Sequence, residues 1–189
     1  MSRRLVCVSV TMVLCCMALL AQGPAAGTAT DPILGMWSLN LEKSRFSPGP
    51  VPEPGTISVR RYSRRPDGFM VTIFVTVSPQ ADPTFLEVTW KYDGADYRMY
   101  APASLEDLSV TGVSPGTMAY RATDAYTTEL VPKDRNGKVS FTGIRRRVVS
   151  KDGKTLIDTS RGTNAQGQKV ENTLVFDRCT GPCFQFTAP

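Results

Sequence analysis

Apolar and polar positions along this chain change places over short distances. From Gly35 onward, runs rich in Val, Ile, Thr, Phe and Tyr cover 36–41, 56–64, 69–78, 85–92, 95–100, 117–123, 126–131, 138–149, 155–161 and 169–178. In the first run Trp37, Leu39 and Leu41 fall on one face and Met36, Ser38 and Asn40 on the other, the period of a strand. Between the runs stand clusters of turn residues, among them PDG at 66–68, ADP at 81–83, DG at 93–94, RNG at 135–137 and KDG at 151–153. Asn-Gly and Asp-Gly supply the positive φ angles that tight hairpins need. Long helical periodicity is absent, with room only for a turn of helix at 42–46 or 105–108. About ten strands joined hairpin after hairpin predict an all-β protein, an antiparallel up-and-down barrel whose closure removes the exposed edges of the meander. One domain over 31–178 accommodates the series, followed by a tail at 179–189.

The residues ahead of this series follow a different pattern. After Ser2-Arg3-Arg4 a mostly apolar run covers 5–21 and gives way to the small-residue stretch QGPAAGTAT. That order reads as a secretory signal peptide over 1–27, cut between Ala25 and Ala29. The length of the run also suits an uncleaved membrane anchor, but Ser9 and Thr11 weaken it and small residues follow it. The expected location is therefore periplasmic or extracellular, with no stable membrane span once the leader is removed. Losing Arg3 and Arg4 lowers the net charge from +5 to +3, and the remaining basic residues are interleaved with acids. A solvated mixed surface follows, and nucleic acid is not an expected partner.

Cys7, Cys15 and Cys16 leave with the leader, so Cys179 and Cys183 remain. In an oxidising compartment a nearby pair reads as a local disulfide. The rival, a redox-active dithiol, departs from the two-residue spacing of the common redox motif. Two thiols and no histidine do not complete an ordinary four-ligand zinc site, and no metal is assigned.

Gly35-Met36-Trp37 places G-x-W on the first strand, and the last strand ends in a cation, Arg178. This arrangement resembles the lipocalin and fatty-acid-binding barrels. The wider wording, GMWSLNLEKSRFSPGP near the start and RRRVVSKDGKTLIDTSRGTNAQGQKVENTLVF near the end, resembles a group of exported bacterial proteins with a lipocalin-like domain, over almost all of 33–178. The resemblance implies that Trp37 plugs one end of the barrel and that Arg178 packs across its ring. A large aromatic fills a narrow barrel end, and a cation over its face adds a modest attraction. The resemblance implies architecture and no activity.

The absence of histidine excludes Ser-His-Asp and Cys-His mechanisms and removes the commonest acid-base side chain. Glu87, Glu106, Asp107, Glu129 and Glu171 are scattered, and no Gly-rich phosphate loop precedes a helix. A non-enzyme without a cofactor is expected. Arg145-Arg146-Arg147 is more informative: on a strand Arg145 and Arg147 point one way, and Arg146 points the other way with Ile144 and Val148. If the two aliphatic residues face the interior, Arg146 goes with them and needs a protein carboxylate or the acid group of a ligand; otherwise it lies on the outer face. Phe69, Val71, Ile73, Val75 and Val77 form a continuous apolar stripe that suits a cavity wall or a packed core equally. Two functions remain in view. Either the barrel holds a small apolar or amphipathic molecule, with Arg146 and this stripe as candidate contacts, or side chains fill it and its outside is a protein-interaction module of the envelope.

Overall fold

The structure, a computed structural model, describes residues 30–49, 51–101, 116–139, 143–163 and 167–183. The signal peptide read at 1–27, the helical turn considered at 105–108 and the last six residues of the tail lie outside them. Ten strands follow one another: β1 Gly35–Arg45, β2 Ile57–Arg64, β3 Met70–Ser78, β4 Ala81–Trp90, β5 Asp93–Tyr100, β6 Thr117–Ala122, β7 Thr127–Lys133, β8 Ile144–Val149, β9 Thr155–Thr163 and β10 Lys169–Arg178. Each pairs antiparallel with the next, and β1 pairs with β10, which closes the sheet. The protein is an all-β, ten-stranded, antiparallel up-and-down barrel, consistent with the lipocalin- and fatty-acid-binding-protein-like fold. Among the described residues no helix is long and apolar enough to cross a membrane.

The strand limits differ from the sequence reading where local hydrogen bonds intervene. Residues 42–45 belong to β1, and the 42–46 stretch forms no helical turn. Its pairing with β10 jumps from Asn40–Val175 to Arg45–Thr173, a bulge held by Ser44, whose hydroxyl donates to the Asn40 carbonyl at 2.6 Å and accepts from the Val175 amide at 3.0 Å. Ala81 pairs with Ser78, so the turn before β4 is only Pro79-Gln80 and ADP lies inside the strand. A single bridge from Lys133 to Val139 precedes β8, which begins at Ile144.

In an up-and-down barrel alternate turns share an end. The β2–β3, β4–β5, β6–β7 and β8–β9 turns therefore gather with residues 30–34 and Cys179 at one end. Trp37, Met70, Trp90, Tyr120 and Leu156 fill that end, each sealed from solvent. Burying side chains of this size contributes about 1.5–3 kcal/mol apiece. The Trp90 and Tyr120 rings stack at 3.8 Å, and the Trp90 indole donates to the Thr72 hydroxyl at 2.8 Å.

Trp37 closes the bottom of this end. Its indole donates to the Ile33 carbonyl at 2.8 Å, and the Arg178 guanidinium lies 4.1 Å above its ring. Arg178 also donates to the carbonyls of Pro32, Leu34 and Gly153, tying the entering chain, the last strand and the β8–β9 turn together. Gly35 makes this possible: its φ is +120°, and a Cβ there would sit 2.8 Å from an Arg178 guanidinium nitrogen. One residue past β10, the Cys179 amide donates to the Met36 carbonyl at 2.9 Å, and Cys179 is joined to Cys183 by a disulfide. So short a loop gains little from closure entropy, so the bridge serves to pin the tail.

Candidate functional site

Residues paired directly across an antiparallel ladder present their side chains to the same face. Trp37 is inside, so its partners Arg60 and Arg178 are inside as well. The same rule carries the inner face from Arg60 to Phe74 and then Leu86, and from Tyr62 to Thr72 and Val88. On the far wall Thr128 pairs with Arg147, Arg147 with Asp158, and Asp158 with Leu174. Inside β8, then, are Arg145 and Arg147.

Arg146 lies on the outer face, exposed, opposite Glu129 and Thr159. Ile144, which shares its face, is 57% exposed. The interior position considered for Arg146 is thereby corrected. The stripe Val71, Ile73, Val75 and Val77 also faces outward, half-buried, while Met70, Thr72 and Phe74 face in. Phe69 lies just before β3, packed edge-on against Tyr97 with the Lys91 ammonium 4.2 Å from its ring. None of these residues lines the interior beside the inward arginines. The more polar face of β3 turns inward because the interior holds polar partners for it: Thr72 receives the Trp90 indole, and the Arg60 guanidinium lies 5.3 Å from the Phe74 ring.

The interior centres on Asp158. Its carboxylate accepts from Arg60 at 2.6 Å, from Arg145 at 3.1 and 2.8 Å, and from Arg147 at 3.4 Å. Burial works to raise the Asp158 pKa, but the three guanidiniums outweigh it and hold the carboxyl well below the usual range. Three cations face one anion, which leaves two positive charges in excess. The Phe176 ring lies 4.0 Å from the Arg60 guanidinium and relieves part of that excess through its face. Arg147 is less well served. One of its nitrogens reaches Asp158, while Nε and Nη1 are buried without a hydrogen-bond partner, as are the hydroxyls of Tyr62 and Tyr120. Buried donors of this kind are costly and uncommon.

This cluster divides the barrel. On the Trp37 side Trp37, Met70, Trp90, Tyr120 and Leu156 are sealed, while Leu34 and Tyr92 at the rim of that end keep partial exposure. On the other side Leu39, Phe74, Leu86 and Leu174 pack against the core yet keep partial exposure. Arg145, 17% exposed, is the member of the cluster best reached by solvent. An apolar wall with a cationic base results.

Compared with known proteins, the chain matches no family model and no curated protein.

Sequence reading missed Asp158, Arg60, Arg145 and Arg147 as a unit. Asp158 sits in TLIDTSRG, between turns, where an acid resembles any surface residue. The available signal was the triple arginine itself, since any facing of that strand puts at least one guanidinium inside a closed barrel.

Proposed function

We propose that this is an exported binding protein, not an enzyme, that holds a small apolar or amphipathic molecule in the half of the barrel lined by Leu39, Phe74, Leu86 and Leu174. The observation that carries this reading is that Leu39, Phe74, Leu86 and Leu174, on the inner face beyond the arginine cluster, keep partial exposure, whereas Trp37, Met70, Trp90, Tyr120 and Leu156 are sealed. A packed barrel has no reason to leave aliphatic side chains wetted on its inner face, and burying them against a ligand is favourable. The surplus positive charge at the base favours ligands with an acid group, which would meet Arg145 first.

Native mass spectrometry of protein purified from its host is expected to show a bound small molecule, and anilinonaphthalene sulfonate is expected to be displaced by the extracted material. Filling the space with Leu86→Trp is expected to weaken dye binding roughly tenfold or more while leaving the melting of the free protein little changed. Empty protein that ignores the dye would instead indicate a filled barrel working through its outer surface.

Export is tested separately by intact mass and thiol titration under denaturing conditions. The cleaved protein is expected to show no free thiol, because Cys179 and Cys183 are bridged and Cys7, Cys15 and Cys16 are gone. Three titratable thiols would mean that the leader is retained.

A further inference from the structure

A cavity opens at the Trp37-plugged end. It is a cleft of about 320 Å³ between residues 30–33 and the β6–β7 turn, with Ile33, Tyr92, Tyr126, Thr128 and Val149 on its walls and Arg147 at its inner limit. Arg147 is 1% exposed, and the Nε and Nη1 that Asp158 leaves unpartnered belong to this residue. Tyr62, whose ring centre is 5.0 Å from the Arg147 guanidinium carbon, also has a hydroxyl without a partner. Donors in excess, an apolar wall and a route from the surface thus meet at one place. Asp158 cannot supply the missing acceptor, since its oxygens already serve Arg60, Arg145 and Arg147.

We infer that this cleft is a binding site, separate from the open half of the barrel, for a small monocarboxylic acid with a compact apolar body. The carboxylate accepts a charge-assisted hydrogen bond from one of the two unpartnered nitrogens of Arg147, Nε or Nη1. The apolar body lies against Ile33, Tyr126 and Val149. The charges around the cleft select the class. Asp31 and Asp124 both line it, and Arg64 is the other cation there. Asp31 is held by Arg64 at 3.1 Å and by the Tyr92 hydroxyl at 2.9 Å, so neither of these groups is idle. Two carboxylates beside the route disfavour phosphate and dicarboxylates, whereas a single negative charge is balanced by the surplus beneath.

The test uses the full mature protein with benzoate, benzyl alcohol, succinate and phosphate, followed by calorimetry. Benzoate is expected to bind roughly tenfold or more tightly than the other three. Arg147→Met is expected to abolish that preference. Because that variant removes a buried group, Ala125→Trp provides an independent arm: Ala125 is exposed on the turn and lines the cleft, and a bulky ring there is expected to block benzoate while leaving free-protein melting unchanged. Leu86→Trp, which fills the opposite half, is expected to leave benzoate affinity intact, so failure of one site is distinguishable from failure of the other. Equal affinity for benzoate and benzyl alcohol, phosphate binding as tight as benzoate, or benzoate binding unaffected by Ala125→Trp would each overturn the assignment.

Discussion

Asp158→Asn is expected to destabilise the protein by about 3 to 5 kcal/mol, the range for removing one partner of a buried ion pair. The side chain keeps its size, so no cavity contributes. What is lost is the one negative charge that three inward-facing guanidiniums, two of them buried, share. Urea unfolding monitored by tryptophan fluorescence measures the change. If charge is the cause, adding Arg147→Met to Asp158→Asn is expected to restore part of the loss, because it removes one unbalanced cation. A loss that the second substitution only deepens would assign Asp158 a packing role instead. The same residue has a pH signature. Its folded pKa is depressed, so its stabilising contribution is complete above the unfolded value, about 3.9, and is lost as pH falls from there toward the folded one. Asp158→Asn is therefore expected to show a shallower fall in stability on acidification below about pH 4 than the parent protein.

Trp37→Ala is expected to cost a similar amount, about 3 to 5 kcal/mol, for a different reason. Trp37 is fully buried and fills the plugged end, so truncation opens a cavity that the closed sheet cannot collapse to fill. It also orphans the Ile33 carbonyl and leaves the Arg178 guanidinium without the ring beneath it. Trp37→Phe retains an aromatic face and is expected to lose clearly less. Chemical denaturation of the three proteins decides the matter, and melting unchanged by Trp37→Ala would remove Trp37 from the structural base of the barrel.

Much of this architecture could be read from residue order because it depends on short-range chemistry. Turn signals such as PDG, RNG and KDG demand backbone angles that few residues adopt, so the hairpins follow from local sequence, and hairpins without a crossover leave few topologies. The plug is legible for the same reason: Gly35 and Trp37 are two residues apart, and Arg178 ends the last strand, the one that must pair with the first for the barrel to close. The disulfide lies within five residues. The facing of β3 and β8 was a different matter. Both faces of β3 carry apolar side chains, Met70 and Phe74 on one and Val71, Ile73, Val75 and Val77 on the other, so hydrophobicity alone could not choose between them. In Arg145-Arg146-Arg147 the alternation was evident but its phase was not. A one-residue shift in pairing exchanges inside for outside. Only the closed ladder set that phase, by placing Arg147 opposite Asp158 and Arg60 beside Trp37. Arg60 and Asp158 are 98 residues apart in the chain and 2.6 Å apart in space. Sequence determined that strands would form and close. The partner of each buried charge was decided by tertiary structure, because charge burial depends on which distant groups converge.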